Sequence, residues 1–79
     1  MIEKKIVPIH YKNLIKIFEM EGFRVSRQKG DHISMTKLGS PRPLIIKTSP
    51  RLVPVTHIKT NMVAAGMSRE GYFELLEKV

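Results

Sequence analysis

Residues 22–36 read GFRVSRQKGDHISMT, and they decide the fold. Apolar and polar residues alternate on both sides of a central Lys29-Gly30-Asp31. Phe23 and Val25 are set against Arg24, Ser26 and Gln28, then Ile33 and Met35 against His32, Ser34 and Thr36. Period-two alternation is the mark of a strand with one buried face. The stretch therefore predicts a hairpin with strands over 23–28 and 32–37. For Phe23, Val25, Ile33 and Met35 to share a face, the connection must hold an odd number of residues. A three-residue loop with Gly30 at or next to the left-handed position meets that need. His32 then lies on the solvent face with Arg24, Ser26, Ser34 and Thr36, while Arg27 and Lys29 crowd the turn.

Upstream, Leu14, Ile17 and Phe18 follow helical spacing, with Lys12, Lys16 and Glu19 on the other side. They predict a helix over 9–21 that Gly22 stops. Residues 1–8 read as a lead-in arm that ends at Pro8. Downstream, Leu38 to Pro43 is a turn region and Leu44-Ile45-Ile46 a third strand. Thr48 to Pro54 reads as a connector. Val55, Ile58, Met62 and Ala65 give a second helix that closes at Gly66, and Ser68 caps a short last helix reaching Leu76. The order predicts an α+β fold. A three-stranded antiparallel sheet would carry its helices on one face and leave the other open.

At 79 residues the chain predicts one domain over 1–79. It has no cysteine, which excludes disulfides and thiolate metal sites. The start MIEKKIVPIHYK has no apolar run of signal-peptide length, and no stretch approaches a membrane span. These features predict a cytoplasmic protein with no membrane partner. Lys and Arg number 14 against 7 Asp and Glu, a net charge of +7. Between Gly22 and Glu70 the only acidic residue is Asp31, so the positive field follows the middle of the chain. Such a field attracts polyanions; nucleic acid, an acidic protein and an anionic surface all fit it.

Three histidines, His10, His32 and His57, stand far apart with no ligand spacing between them, so no metal site and no small-molecule cofactor are expected. His10 reads as a first-turn surface residue, and His57 as a solvated helix position with nucleic-acid contact as the lesser alternative. His32 differs because Arg24, Arg27, Lys29 and the turn glycine Gly30 meet beside it. A histidine titrates near working pH and can move a proton. Metal-independent RNA cleavage needs that ability: a base takes the 2′-hydroxyl proton, the oxygen attacks the adjacent phosphate, and an acid protonates the departing 5′-oxygen. Cations hold the phosphate. On the residues alone, an ordinary hairpin with a surface histidine is the simpler reading. Aromatic residues sit at core or helical positions, which speaks against single-strand binding on a stacking platform.

The order of these motifs resembles the HicA (YcfA-like) toxins of type II toxin–antitoxin systems. In that family a helix ends in Gly-Phe, a basic strand follows, and a Gly-Ser-His-type motif comes next, here Gly30-Asp31-His32. A later Ala-Gly-Leu-Ser pattern is matched by Ala65-Gly66-Met67-Ser68. The resemblance implies an α-β-β-β-α fold like the double-stranded-RNA-binding domain. It implies a metal-independent, mRNA-cleaving endoribonuclease that inhibits translation, with His32 as its single catalytic histidine and a HicB-type antitoxin as partner. Asp31 stands where the family commonly has serine. A non-catalytic RNA-binding module and a protein-interaction domain remain the competing readings of the residues, with Arg24, Arg27, Lys29 and Gly30 as the RNA contacts in the first.

Overall fold

The computed structural model describes residues 5–79, so the first half of the lead-in arm, 1–4, lies outside the described residues. The chain runs β1 (Ile9–His10), α1 (Tyr11–Met20), β2 (Arg24–Lys29), β3 (His32–Thr36), β4 (Leu44–Lys47), β5 (Leu52–Val53), α2 (Val55–Ala65) and α3 (Arg69–Leu76). β2, β3 and β4 form an antiparallel sheet in that order, and β1 pairs with β5 as a separate two-stranded ladder. The α+β architecture expected from the pattern is present, with the sheet packed against helices. Leu14, Ile17 and Phe18 of α1 meet Ile33, Met35, Leu44 and Ile46 of the sheet in one buried cluster that Ile58, Met62 and Tyr72 complete.

The turn from α1 into the sheet is fixed by backbone chemistry. Gly22 adopts φ +100°, its N–H donates to the Glu19 carbonyl, and the Phe23 N–H reaches back to the Phe18 carbonyl. This is a Schellman ending, and the apolar contact that accompanies it is Phe18 edge-on to Phe23, with ring centres 6.1 Å apart. Phe23 is thereby pinned in the core just where β2 begins.

The hairpin departs from the sequence expectation in one respect. Lys29 and His32 pair directly, so the loop holds two residues, Gly30 and Asp31, and not three. Gly30 has φ +58° and no other residue in the turn has a positive φ, the pattern of a type II′ turn. The odd residue that parity demands lies inside β2. The register shifts between Val25 and Arg27, leaving Ser26 as a bulge. Val25 pairs with Met35, yet Val25 is half exposed, because β2 is an edge strand and the helices pack against β4.

The connector over 48–54 is also corrected. Ile9 pairs with Val53 and His10 with Leu52, so the helix expected from residue 9 starts at Tyr11. A two-residue ladder is too short to display a period, which is why alternation does not reveal it. His10 caps α1: its Nδ1 accepts from the Lys12 N–H at 3.2 Å. The strands of the sheet each end within a residue of expectation, and the expected boundary between α2 and α3 holds. Gly66 closes α2 at φ +68°, and the Ser68 hydroxyl accepts from the Gly71 N–H at 3.0 Å.

Two outcomes are expected. Gly22→Ala forces a side chain into a left-handed conformation and should destabilise the fold by about 1–2 kcal/mol, read as a lower urea midpoint. Tyr72 is fully buried, its hydroxyl has no partner among the described residues, and burial raises its pKa above the ordinary 10.0. Above that ordinary value the unfolded chain releases this proton while the folded chain keeps it, so this residue's contribution to stability falls as pH rises. Tyr72→Phe removes the loss. It should match or exceed wild type at pH 7, because an unpaired buried hydroxyl is costly. Its lead in unfolding midpoint should widen at more alkaline pH.

Candidate functional site

The bulge at Ser26 decides which side chains share the open face of the sheet. Cross-strand partners lie on one face. Arg24 pairs with Thr36, Arg27 with Ser34, and Lys29 with His32. In a regular strand Arg24 would face away from Arg27 and Lys29, since odd offsets alternate. With one extra residue between them, all three cations stand on the same face as the histidine. Ser26 itself turns its hydroxyl to donate to the Ser34 carbonyl at 3.2 Å.

His32 occupies the middle of a row. Lys29 is its partner on β2 and Lys47 its partner on β4, so an ammonium-bearing side chain starts on each flank. The Nδ1–H of His32 donates to Asp31 Oδ1 at 2.8 Å, with both side chains about half exposed (52% and 48%). That bond fixes the ring's tautomer and leaves Nε2 free to exchange a proton when the ring is neutral. The turn that carries Asp31 is tied down in its turn. The Asp31 carbonyl accepts from the Thr48 N–H at 2.8 Å and from the Thr48 hydroxyl at 3.4 Å. Gly30 serves the turn through its backbone; nothing lies within 4 Å of where a Cβ would stand.

Asn61, Lys47 and His57, none of them assigned to the site from the sequence, complete the surroundings. β4 exposes its outer edge, and the buried Asn61 of α2 covers it as an amide clamp. Its Oδ1 accepts from the Ile45 N–H at 3.3 Å, and its Nδ2–H donates to the Ile45 carbonyl at 3.0 Å. The clamp sets α2 beside the open face. Between helix and sheet runs a cleft of about 260 Å³ lined by His32, Ile45, Lys47, His57, Thr60 and Asn61, among others. His57 stands one turn before Asn61 and so shares the cleft with His32. The sequence places it as a solvated helix residue; it is exposed, but it is also the second imidazole of this cleft. The one signal available was the four-residue spacing of His57 and Asn61. Among the described residues no three His, Cys, Asp or Glu side chains group as a metal site, and no helix is long and apolar enough to cross a membrane.

An α+β domain with a basic open sheet face and a histidine at its centre is the class so defined. A family model described as the HicA toxin of bacterial toxin–antitoxin systems matches residues 11–65, from the start of α1 to the end of α2. The chain belongs to the HicA toxin family and is the toxin member of such a pair, which implies a cognate antitoxin as its partner. No curated protein matches the chain.

Asn61→Ala should leave the Ile45 N–H and carbonyl at the edge of β4 without their protein partner, at a cost of about 1–3 kcal/mol for the two hydrogen bonds. Amide hydrogen exchange at Ile45 should accelerate more than that at Ile33, which a uniform loss of stability would not produce.

Proposed function

We propose that this chain is a metal-independent endoribonuclease that cuts mRNA, with His32 as a proton-transfer group. The observation that carries this reading is the row Lys29–His32–Lys47 across the open face, with the His32 ring oriented by Asp31. A phosphodiester laid on that row meets a cation on either side of the imidazole, and Arg24 and Arg27 extend the positive track along β2 for the flanking phosphates. Chemistry needs only that a neutral imidazole accept the ribose 2′-hydroxyl proton while cations offset the charge that builds on phosphate. Cleavage of mRNA would halt translation in the cytoplasm. A HicB-type antitoxin, with acidic groups facing this surface, would block it by covering the same face. The likeness to the double-stranded-RNA-binding domain belongs to this reading too, because that fold meets RNA through shape and backbone charge.

The test is cleavage of a long single-stranded RNA in EDTA by wild type and by His32→Ala, with both shown to be folded. Loss of His32 should lower the rate by about 10²–10⁴-fold, the usual worth of a positioned acid or base. Equal cutting by both proteins rejects the assignment. If neither cuts yet both bind RNA, the chain is a non-catalytic RNA-binding module.

A further inference from the structure

We propose that His57 is the second proton carrier of the site, acting as general acid, and that Lys47 is the cation that holds the scissile phosphate. The assignment rests on the ribonuclease reading above and extends it to residues of α2 and β4. In-line displacement at phosphorus puts the entering 2′-oxygen and the departing 5′-oxygen on opposite sides of the phosphate. One imidazole therefore cannot serve both ends in a single step, and the partner must approach from across the phosphate. The cleft has that form. His32 stands on its sheet wall, His57 on its helix wall, and Lys47, the direct partner of His32, between them on β4. At about 260 Å³ the cleft lies just below the roughly 300–1,000 Å³ of pockets that enclose a drug-sized ligand. It suits a phosphodiester with its ribose, not a base pair.

The other lining groups are already engaged or inert. The Thr60 hydroxyl donates to the Thr56 carbonyl at 2.9 Å, Asn61 is committed at both ends to Ile45, and Pro43, Ile45 and Ala64 are apolar. Lys29 pairs with His32 from the β2 side and does not line the cleft. Of the two remaining groups, an ammonium holds its proton near neutral pH and an imidazolium releases it readily, and proton transfer is most efficient when the donor titrates near working pH. The roles follow. With its Nδ1–H held by Asp31, His32 takes the 2′-hydroxyl proton on Nε2. The O2′–P bond forms as the P–O5′ bond breaks, and the His57 imidazolium gives its proton to the departing 5′-oxygen. The products are a 2′,3′-cyclic phosphate and a 5′-hydroxyl. Both rings then reset by exchange with water, and no oxidant, metal or cosubstrate is consumed.

The experiment compares two RNAs of one sequence, one ordinary and one with sulfur replacing the 5′-oxygen at a mapped cleavage site. A thiolate departs without being protonated, so the sulfur substrate does not need the acid. His57→Ala should cut the ordinary RNA about 10²–10⁴-fold more slowly than wild type, yet cut the sulfur RNA within about tenfold of it. His57→Gln, which keeps a hydrogen-bond donor but cannot release a proton, should behave the same way. His32→Ala and Lys47→Ala should be slow on both RNAs, since the base and the phosphate cation are needed in each. If His57→Ala matches wild type, is equally slow on both RNAs, or is rescued by glutamine, the ribonuclease stands and His57 is not its acid. If wild type cuts neither RNA, the ribonuclease reading itself fails and this assignment falls with it.

Discussion

A strand can turn a side chain to only one of two faces, and that constraint governs how this small sheet is built. Ile33 and Met35 must face Leu14, Ile17 and Phe18, because burial of apolar surface is the main drive available to a chain of this size. The two-residue turn at Gly30-Asp31 then fixes which residues of β2 oppose them. Without an extra residue, Phe23 and Val25 could not both stand on the core side of Met35. The bulge at Ser26 reconciles the tight turn with the buried face. As a consequence it also gathers Arg24, Arg27 and Lys29 on the side of His32. One local irregularity thus serves packing and charge placement together, and the basic surface is a by-product of satisfying the core.

The second constraint is the open edge of β4. An unpaired edge strand must be covered or it invites another strand. Here the cover is one buried side chain, and the manner of cover matters. A helix laid flat on the core face would leave the open face bare. Asn61 instead grips the backbone of Ile45 from the side, so α2 straddles the edge. Ile58 and Met62 reach the core while His57 and Thr60 line the cleft. The cleft exists because helix and sheet edge are joined by hydrogen bonds as well as by apolar contact. This arrangement also explains why Ile45 stays half exposed in an otherwise apolar strand: it forms part of the cleft wall.

Much of this was readable from residue order, for physical reasons that differ between elements. The helix around Leu14, Ile17 and Phe18 declares itself by period, and Gly22, Gly66 and Ser68 mark ends whose backbone chemistry few other residues supply. His32 on the solvent face follows from alternation alone. What could not be read depends on contacts distant in sequence. The pairing of Ile9 with Val53 spans most of the chain and leaves no periodic trace. The bulge is a compromise between a turn and a core, and neither is visible at Ser26 itself. Asn61 looks like any polar helix residue until β4 is beside it, and His57 acquires a neighbour only through Asn61. The candidate site residues of the hairpin are local in sequence, so their shared face was legible. Those of α2 and β4 were created by topology.

Asp31 poses the remaining question of charge, since a carboxylate works against the phosphate binding proposed for this face. Its position answers in two parts. The carboxylate accepts the Nδ1–H of His32 at 2.8 Å, on the side of the ring away from Nε2. Against it stand Lys29 and Lys47, on either flank of the same histidine. The local sum stays positive by one charge when the imidazole is neutral. The fixed turn keeps this balance in place, because both hydrogen bonds from Thr48 converge on the Asp31 carbonyl. A serine at this position would orient the ring through a neutral acceptor and leave a stronger field for phosphate. The aspartate instead gives up some of that attraction for a more firmly held ring, which suits the base proposed for His32. The choice is tolerable here because the surrounding sheet face supplies cations in excess.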